Sequence, residues 1–293
     1  MDRRRFIRAG LSIGGAVLAQ GGIAEARGPA SGKEFAGVLV DTTRCIGCRR
    51  CEEACAKANG LPPPNLDDTS VFQGTRTMGT TAWTVVNRYE TSRGPVYVKR
   101  QCMHCNQPSC TSACLVRAML KTEEGPVIWR ESKCMGCRYC MVSCPFDVPK
   151  FEYDRVVPKI QKCNMCFSRL KQGLRPACVE ACPMDALMFG TRKAALENAY
   201  ARIVSKPDRY HEAVYGESEV GGTAWLYLAG VPFDEIGFRT DLGTTAYPEY
   251  TKGFQYLVPM IYVLWPTFLM GICSMTRGGQ KEERGVGQEA KKQ

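Results

Sequence analysis

Histidine is nearly missing from this sequence: its 293 residues include only two, His104 and His211. No C-x2-C pair is followed by a histidine, which removes the attachment signal of a c-type haem. Neither histidine falls in the apolar stretch near the C-terminus, so a membrane b-type haem finds no histidine pair here. A P-loop is also lacking, as is a strand-linked glycine fingerprint for dinucleotides. No haem and no nucleotide is therefore expected. No residue stands out as an acid, base or nucleophile, so no catalytic residue is assigned.

Cysteine is what the chain has in excess, with seventeen. Sixteen fall into four groups of four between Cys45 and Cys182. Cys45, Cys48, Cys51 and Cys55 are spaced C-x2-C-x2-C-x3-C, and Cys102, Cys105, Cys110 and Cys114 are spaced C-x2-C-x4-C-x3-C. Cys134, Cys137, Cys140 and Cys144 repeat the first spacing, and Pro145 follows. Cys163, Cys166, Cys178 and Cys182 are spaced C-x2-C-x11-C-x3-C, and Pro183 follows. Three thiolates on a tight turn, with a fourth one helical turn further on, suit a cubane iron–sulfur cluster. Four such groups predict four [4Fe–4S] clusters. A disulfide framework suits this spacing poorly, because cysteines so close in one turn pair badly across a fold. Zinc asks for isolated C-x2-C pairs taken two at a time, which leaves the middle cysteines of the first and third groups unexplained.

The formal charge of +10 raises the question of a nucleic-acid or acidic-membrane partner. Residues 1–26 contribute four arginines against two acids, so their removal leaves about +8. Four oxidised cubanes with their thiolates add roughly −8. The basic excess reads as compensation for buried anions, and no nucleic acid is expected. Arg44, Arg49, Arg50, Lys133, Arg138 and Lys162 stand close enough in sequence to the cysteines to raise cluster potentials. A solvated face or pairing with acids is the plainer account of them. His104 lies between two ligand positions and is expected to point away from the metal. Met103, Met119, Met135, Met141, Met165 and Met184 read as packing.

At the N-terminus, residues 2–8 are strongly basic, an uncharged Gly- and Ala-rich run extends from Ala9 to Ala24, and Ala24-Glu25-Ala26 offers a small-residue cleavage site. This is the layout of a signal peptide over residues 1–26. Arg3-Arg4 with Phe6-Ile7 resembles the twin-arginine export signal, a route that carries folded, cofactor-loaded cargo. Residues 27–40 read as a linker.

Between the cysteine groups, short β-rich runs recur: Trp83 to Val86, Val96 to Val98 and Pro126 to Trp129. Apolar runs also follow the last cysteine of the second and fourth groups, at Ala118 to Leu120 and Ala186 to Phe189. This repetition resembles two ferredoxin-like units, each holding two clusters, and implies an α+β fold over residues 41–192. The array resembles the four-cluster electron-transfer subunits of respiratory molybdenum enzymes and hydrogenases. Cys102-Met-His-Cys105, Cys137-Arg-Tyr-Cys140-Met and Cys178-Val-Glu-Ala-Cys182-Pro183 carry that resemblance. It is most similar to the iron–sulfur subunits of membrane-bound nickel–iron hydrogenases, to which Gly221 to Pro232 also bears a likeness. The first and second groups depart from the pattern in lacking a proline after the last cysteine.

The resemblance implies that the fourth cysteine of each group serves a neighbouring cluster. Cys45, Cys48, Cys51 and Cys182 then hold one cluster, and Cys163, Cys166, Cys178 and Cys55 its partner. Cys102, Cys105, Cys110 and Cys144 hold a third, and Cys134, Cys137, Cys140 and Cys114 the fourth. The inner unit, about residues 96–150, is thereby inserted in the outer one. The implied partners are a catalytic subunit, either a hydrogenase or a molybdenum enzyme such as formate dehydrogenase, and a quinone-reactive integral-membrane subunit.

Residues 193–252 hold no metal pattern. Ala194 to Val204 reads as a helix with Leu196, Tyr200 and Ile203 on one face, and Trp225 to Leu228 as a strand. The rest reads as an irregular docking or juxtamembrane segment. Residues 253–276 are uncharged and strongly apolar. Twenty such residues span roughly 30 Å, the thickness of a bilayer's hydrocarbon core, so a transmembrane helix in contact with membrane lipid is expected. Residues 277–293 form a basic tail that the positive-inside rule places in the cytoplasm, with the cluster domain on the periplasmic face of the inner membrane. Cys273 stands apart from every group and reads as packing. Substituting Arg3→Lys and Arg4→Lys together is expected to strand the loaded protein in the cytoplasm. Cell fractionation reads this directly, and unchanged export refutes the signal.

Overall fold

A computed structural model describes residues 34–289, with side chains described as far as residue 276. The signal-like stretch and residues 27–33 of the linker lie outside the described residues, and the rest of the linker runs into a strand. The strands are β1 (Ala36–Asp41), β2 (Val85–Thr91), β3 (Gly94–Arg100), β4 (Met119–Lys121), β5 (Val127–Trp129), β6 (Lys150–Phe151), β7 (Ile160–Gln161), β8 (Leu187–Thr191) and β9 (Trp225–Leu228). The helices are α1 (Arg50–Asn59), α2 (Ser109–Ser112), α3 (Tyr139–Val142), α4 (Phe167–Leu170), α5 (Ala177–Glu180), α6 (Arg192–Ser205) and α7 (Tyr247–Glu289).

β1 is the centre of the fold. Its sequence, Ala-Gly-Val-Leu-Val-Asp, is a short apolar run of the kind that survives only with both faces covered. It pairs antiparallel with β8 and parallel with β9, giving the order β8-β1-β9. Side chains alternate across the sheet, as strand geometry requires. Leu39, Leu226 and Leu228 face α6, where Ala195, Ala199 and Ile203 meet them. Val38, Val40, Trp225 and Tyr227 face the other way, into a core that includes Met103, Met165 and Cys178. The sheet is thus a wall with a helix behind it and the cysteine region in front.

α6 is capped by the Thr191 hydroxyl, which accepts from the Ala194 amide at 3.2 Å. Its buried face is Ala195, Ala199 and Ile203, one step round from the Leu196–Tyr200–Ile203 face read from the sequence. Small side chains win because the helix start lies close against β1: a Cβ on Gly37 would come within 2.7 Å of the Arg192 Cα. Tyr200 is exposed and donates its hydroxyl proton to Glu217.

The stretch beyond α6 differs from the docking surface expected of it. Residues Ala224 to Ala229 are wholly buried, and Tyr215, Phe233 and Phe238 close over them. The Tyr215 and Phe238 ring centroids are 4.5 Å apart, and those of Tyr227 and Phe238 are 4.7 Å apart. The aromatic residues cover this chain's own sheet, because β9 adds to β1 and carries its neighbours inward with it. By contrast, the last helix carries within Tyr247–Thr276 an 18-residue window of mean hydropathy 1.7, none of it buried within the protein. Among the described residues it is the one helix long and apolar enough to cross a membrane. Pro259 and Pro266 lie inside it without ending it, as spanning helices tolerate.

Asp41 ties these layers together at the end of β1. It is buried, accepts from Arg202 Nη1 at 2.7 Å and from the Tyr210 hydroxyl at 2.9 Å, and also takes both the amide and the hydroxyl of Thr43. Asp41→Ala is expected to cost about 3 kcal/mol, because it strands buried donors. Urea denaturation of the loaded protein, against an Asp41→Asn control with a smaller loss, measures it.

Candidate metal centres

The first and third groups make the same turn. Gly47 (φ +72°) and Gly136 (φ +74°) precede the second cysteine, and Arg49 and Arg138 (φ 57° and 61°) follow it. Two left-handed residues around one cysteine curl the chain so that the first three thiols face a common centre. The third cysteine then enters a helix, α1 or α3. Gly47 is further constrained because a Cβ there would strike the Tyr97 ring. In the second and fourth groups the left-handed positions are His104, and Met165 with Cys166. Another repeat appears beyond the last cysteine: Arg117, Asp147 and Asp185 are left-handed, each the third residue after Cys114, Cys144 and Cys182. Their amides donate back to the carbonyls of those cysteines at 3.0, 3.2 and 3.5 Å.

Strand register decides which groups meet. Val40 pairs with Leu187, and Cys45 stands five residues after the one while Cys182 stands five before the other. Met119 pairs with Trp129, and Cys114 and Cys134 occupy the same two offsets. The result is visible as two hollows. One is lined by Cys45, Cys48, Cys51 and Cys182. The other is lined by Cys114, Cys134, Cys137 and Cys140. The remaining eight thiols act on one another's charge. Cys105 feels Cys102, Cys144 and Cys110; Cys55 feels Cys178 and Cys166, and Cys163 feels Cys55 and Cys178. All sixteen cysteines singled out in the sequence are therefore brought together. Cys273 is exposed on α7, apart from them.

Neighbouring sets share buried packing, which orders them in a row: Cys51 packs in one cluster with Cys178, Cys163 in a second with Cys102, and Cys110 in a third with Cys140. At one end of the row Cys48 is exposed, and at the other Cys137. Between them lie the buried thiols.

The chemistry of these sets fits a cubane body. Thiols surround a hollow instead of converging on a point. Among the described residues no cluster of three or more His, Cys, Asp or Glu side chains closes tightly enough for a single ion, and none of the cysteines is disulfide-bonded. Burial pushes Cys45, Cys140 and Cys144 up to about 11, and Cys55 and Cys110 up to about 12. Cys51, Cys105 and Cys163 are raised well above the ordinary thiol range by the same cause. Such groups become thiolates when a metal displaces the proton from sulfur and the proton is released to solvent. Amide donors are already aimed at the sulfurs: Ala118 and Met119 at Cys114 Sγ (3.1 and 3.4 Å), and Met165 at Cys163 Sγ (3.4 Å).

His104 is fully buried, and its Nδ1 accepts from the Val127 amide at 2.8 Å, so the proton sits on Nε2. Burial, and then the charges of Lys162, Lys121 and Lys99, hold it far below the usual histidine range. It is a neutral packing residue. Of the six basic residues flanking the cysteine groups, only Arg49 and Lys162 are buried. Arg49 is paired with Glu52 at 3.2 Å, and Glu52 is shared with Arg76 at 2.6 Å. Two other basic residues were not legible: Lys99, buried in β3, and Lys121 at the end of β4. Both faces of β3 are covered near Lys99, so alternation carried no signal there.

Residues 95–192 match a family model described as a 4Fe-4S dicluster domain. A protein of Nitratidesulfovibrio vulgaris (strain Hildenborough) is 49% identical over 96% of this chain and 78% of its own length. The hydrogenase-2 operon protein HybA of Escherichia coli O157:H7 is 33% identical, over 97% of both chains. The iron-sulfur subunit of the nitrate-inducible formate dehydrogenase of Escherichia coli K12 is 34% identical over 65% of this chain and 66% of its own.

Gly47→Ala is expected to lower the iron content of the purified protein by about one cluster. Left-handed backbone costs an L-residue roughly 1–2 kcal/mol, and the Tyr97 ring has to move as well. Gly136→Ala meets nothing closer than 4.0 Å and should lose less. Iron per chain distinguishes the two.

Proposed function

This chain belongs to the family of iron–sulfur electron-transfer subunits of respiratory oxidoreductases, and we propose that it conducts electrons through four [4Fe–4S] clusters from a catalytic partner to a membrane partner. The observation that carries this reading is the row of four thiol sets with an exposed cysteine at each end. A cubane supplies one-electron storage; the chain's own residues space the stores and bury the middle ones.

The proposed ligand sets are Cys45, Cys48, Cys51 and Cys182; Cys55, Cys163, Cys166 and Cys178; Cys102, Cys105, Cys110 and Cys144; and Cys114, Cys134, Cys137 and Cys140. The equal register offsets of β1–β8 and β4–β5 support two ferredoxin-like units, the inner one (about 96–150) inserted in the outer. Residues 41–192 hold the clusters in this reading, and the strand at Trp225–Leu228 completes their enclosure.

The membrane end is the end with Cys137. The last helix, α7, packs against α2, which carries Cys110. Just before it, Gly221 accepts from Asn106 and Arg239 donates to the Pro145 carbonyl, both next to cysteines of the Cys102 set. Around Cys137 the surface exposes Leu115, Val116, Met135, Tyr139 and Val142, an apolar rim suited to an integral-membrane, quinone-reactive subunit. The Cys48 end is left for the catalytic subunit. A hydrogenase is favoured as that subunit, since the likeness to HybA runs through the C-terminal helix while the formate dehydrogenase likeness covers two thirds of the chain. Twin-arginine export of residues 1–26, a periplasmic cluster domain, a helix across the inner membrane at 253–276 and service in anaerobic respiration complete the proposal.

Anaerobically purified protein is expected to hold about sixteen iron atoms per chain and to show reducible cubane EPR signals; zinc without iron sinks the reading. Cys182→Ser should abolish the same EPR component as Cys45→Ser and spare the one abolished by Cys166→Ser. Loss of a shared component in Cys182→Ser and Cys166→Ser instead refutes the crossed ligation. Co-purification from membranes, with the partners identified by mass spectrometry, decides between hydrogenase and formate dehydrogenase.

A further inference from the structure

Two lysines are buried in the row outside any salt bridge among the described residues. Lys99 is 3% exposed. Its ammonium donates to Thr84 Oγ1 and Gln101 Oε1, both at 2.8 Å, and lies 4.6 Å over the Trp225 ring. It lines the hollow of Cys45, Cys48, Cys51 and Cys182. Of the thiols, those of Cys178, Cys51 and Cys163 act most strongly on its charge. Those sulfurs belong to the first two sets, so Lys99 sits at their junction. Lys162, 4% exposed, sits at the next one. Its ammonium donates to the carbonyls of Cys163 (2.8 Å) and Val127 and lies 3.8 Å from Cys102 Sγ. Neither lysine forms a salt bridge among the described residues.

An unpaired ammonium in a protein interior is costly, and a carbonyl or hydroxyl cage only partly offsets it. A nearby anion is what makes the position tenable. A buried cubane has the converse problem: accepting an electron adds negative charge where water does not reach. The two problems cancel if lysine and cluster share the site. The exposed Cys137 end has no buried lysine among the described residues, and Arg138 beside it is solvent-exposed. Water serves there.

We propose that Lys99 and Lys162 are the fixed counter-charges that keep the three clusters behind the Cys137 end reducible, each lysine serving the two clusters it lies between. Without them the buried middle of the row is an electrostatic barrier that electrons leaving one end cannot climb. Lys121, which donates to the His104 carbonyl at 3.1 Å beside Cys105, adds charge beside the Cys102 set. This inference rests on the four-cluster reading above.

The test is a potentiometric EPR titration of the anaerobically purified holoprotein. It compares the unaltered chain with Lys99→Met, Lys162→Met, Lys99→Arg and Lys162→Arg, and with exposed Lys57→Met as control. Iron content of the unaltered chain comes first: fewer than four cubanes there defeats the cluster reading itself. With four present, each Met variant is expected to move two clusters to more negative potential. At fixed ambient potential the oxidised-to-reduced ratio of each should rise about tenfold, which is 59 mV for a one-electron couple. The component altered by Cys137→Ser should stay in place, and the Arg variants should lie near the unaltered chain. Potentials unmoved in iron-replete Met variants, or all four moved alike, overturn the proposal. If the Met variants lose iron, retention of iron and potential by the Arg variants supports the charge, and loss of iron from both kinds of variant assigns the lysines to packing and overturns it.

Discussion

Everything in front of the central sheet depends on the register between β1 and β8. β1 leads straight into the first cysteine group and β8 leads straight out of the fourth, so their antiparallel pairing closes a loop of nearly the whole cysteine region. Because Val40 opposes Leu187, the beginning of one group and the end of the other are held side by side. A slip of one residue would exchange the faces of β1 and send Val38 and Val40 toward α6. Burial on both faces forbids that slip, since Leu39 is enclosed by α6 as fully as Val38 is enclosed in front.

The second closure, β4 with β5, repeats the first on a smaller scale. The same offsets from paired residues to cysteines recur, and so do the left-handed residues three positions after the last cysteine. One local solution, used twice, brings thiols distant in sequence together at both pairings. Third-strand pairing by β9 then seals the wall. That is why the aromatic stretch after α6, which by composition suits a surface segment, is spent on the interior.

Charge is the other organising constraint. Thiols raised to about 11 or 12 by burial resist ionisation, and lysines outside salt bridges resist burial. The fold places them together at the junctions of the row. Arg49 follows the more familiar course of sharing Glu52 with Arg76, and the exposed arginines and lysines around the first and third groups are left to solvent. His104 stays neutral among these cations and contributes shape and one hydrogen bond.

The cysteine spacing by itself picked out four groups of four thiols and the iron–sulfur chemistry they suit, because these follow from turns of a few residues. Hydropathy likewise determined a spanning-length helix, although the helix begins at Tyr247, before the uncharged stretch. The strand at Trp225 and the helix after Arg192 were legible as elements; which face of the helix is buried was not, since that depended on how close Gly37 lets it approach. The grouping of Cys182 with Cys45, and of Cys114 with Cys134, was open to analogy only, because it rests on strand pairing between distant segments. Lys99 could not be found at all from the sequence. In one dimension it is a lysine in a strand; only when β3 is covered on both faces does its charge meet the sulfurs of two groups far from it in the chain.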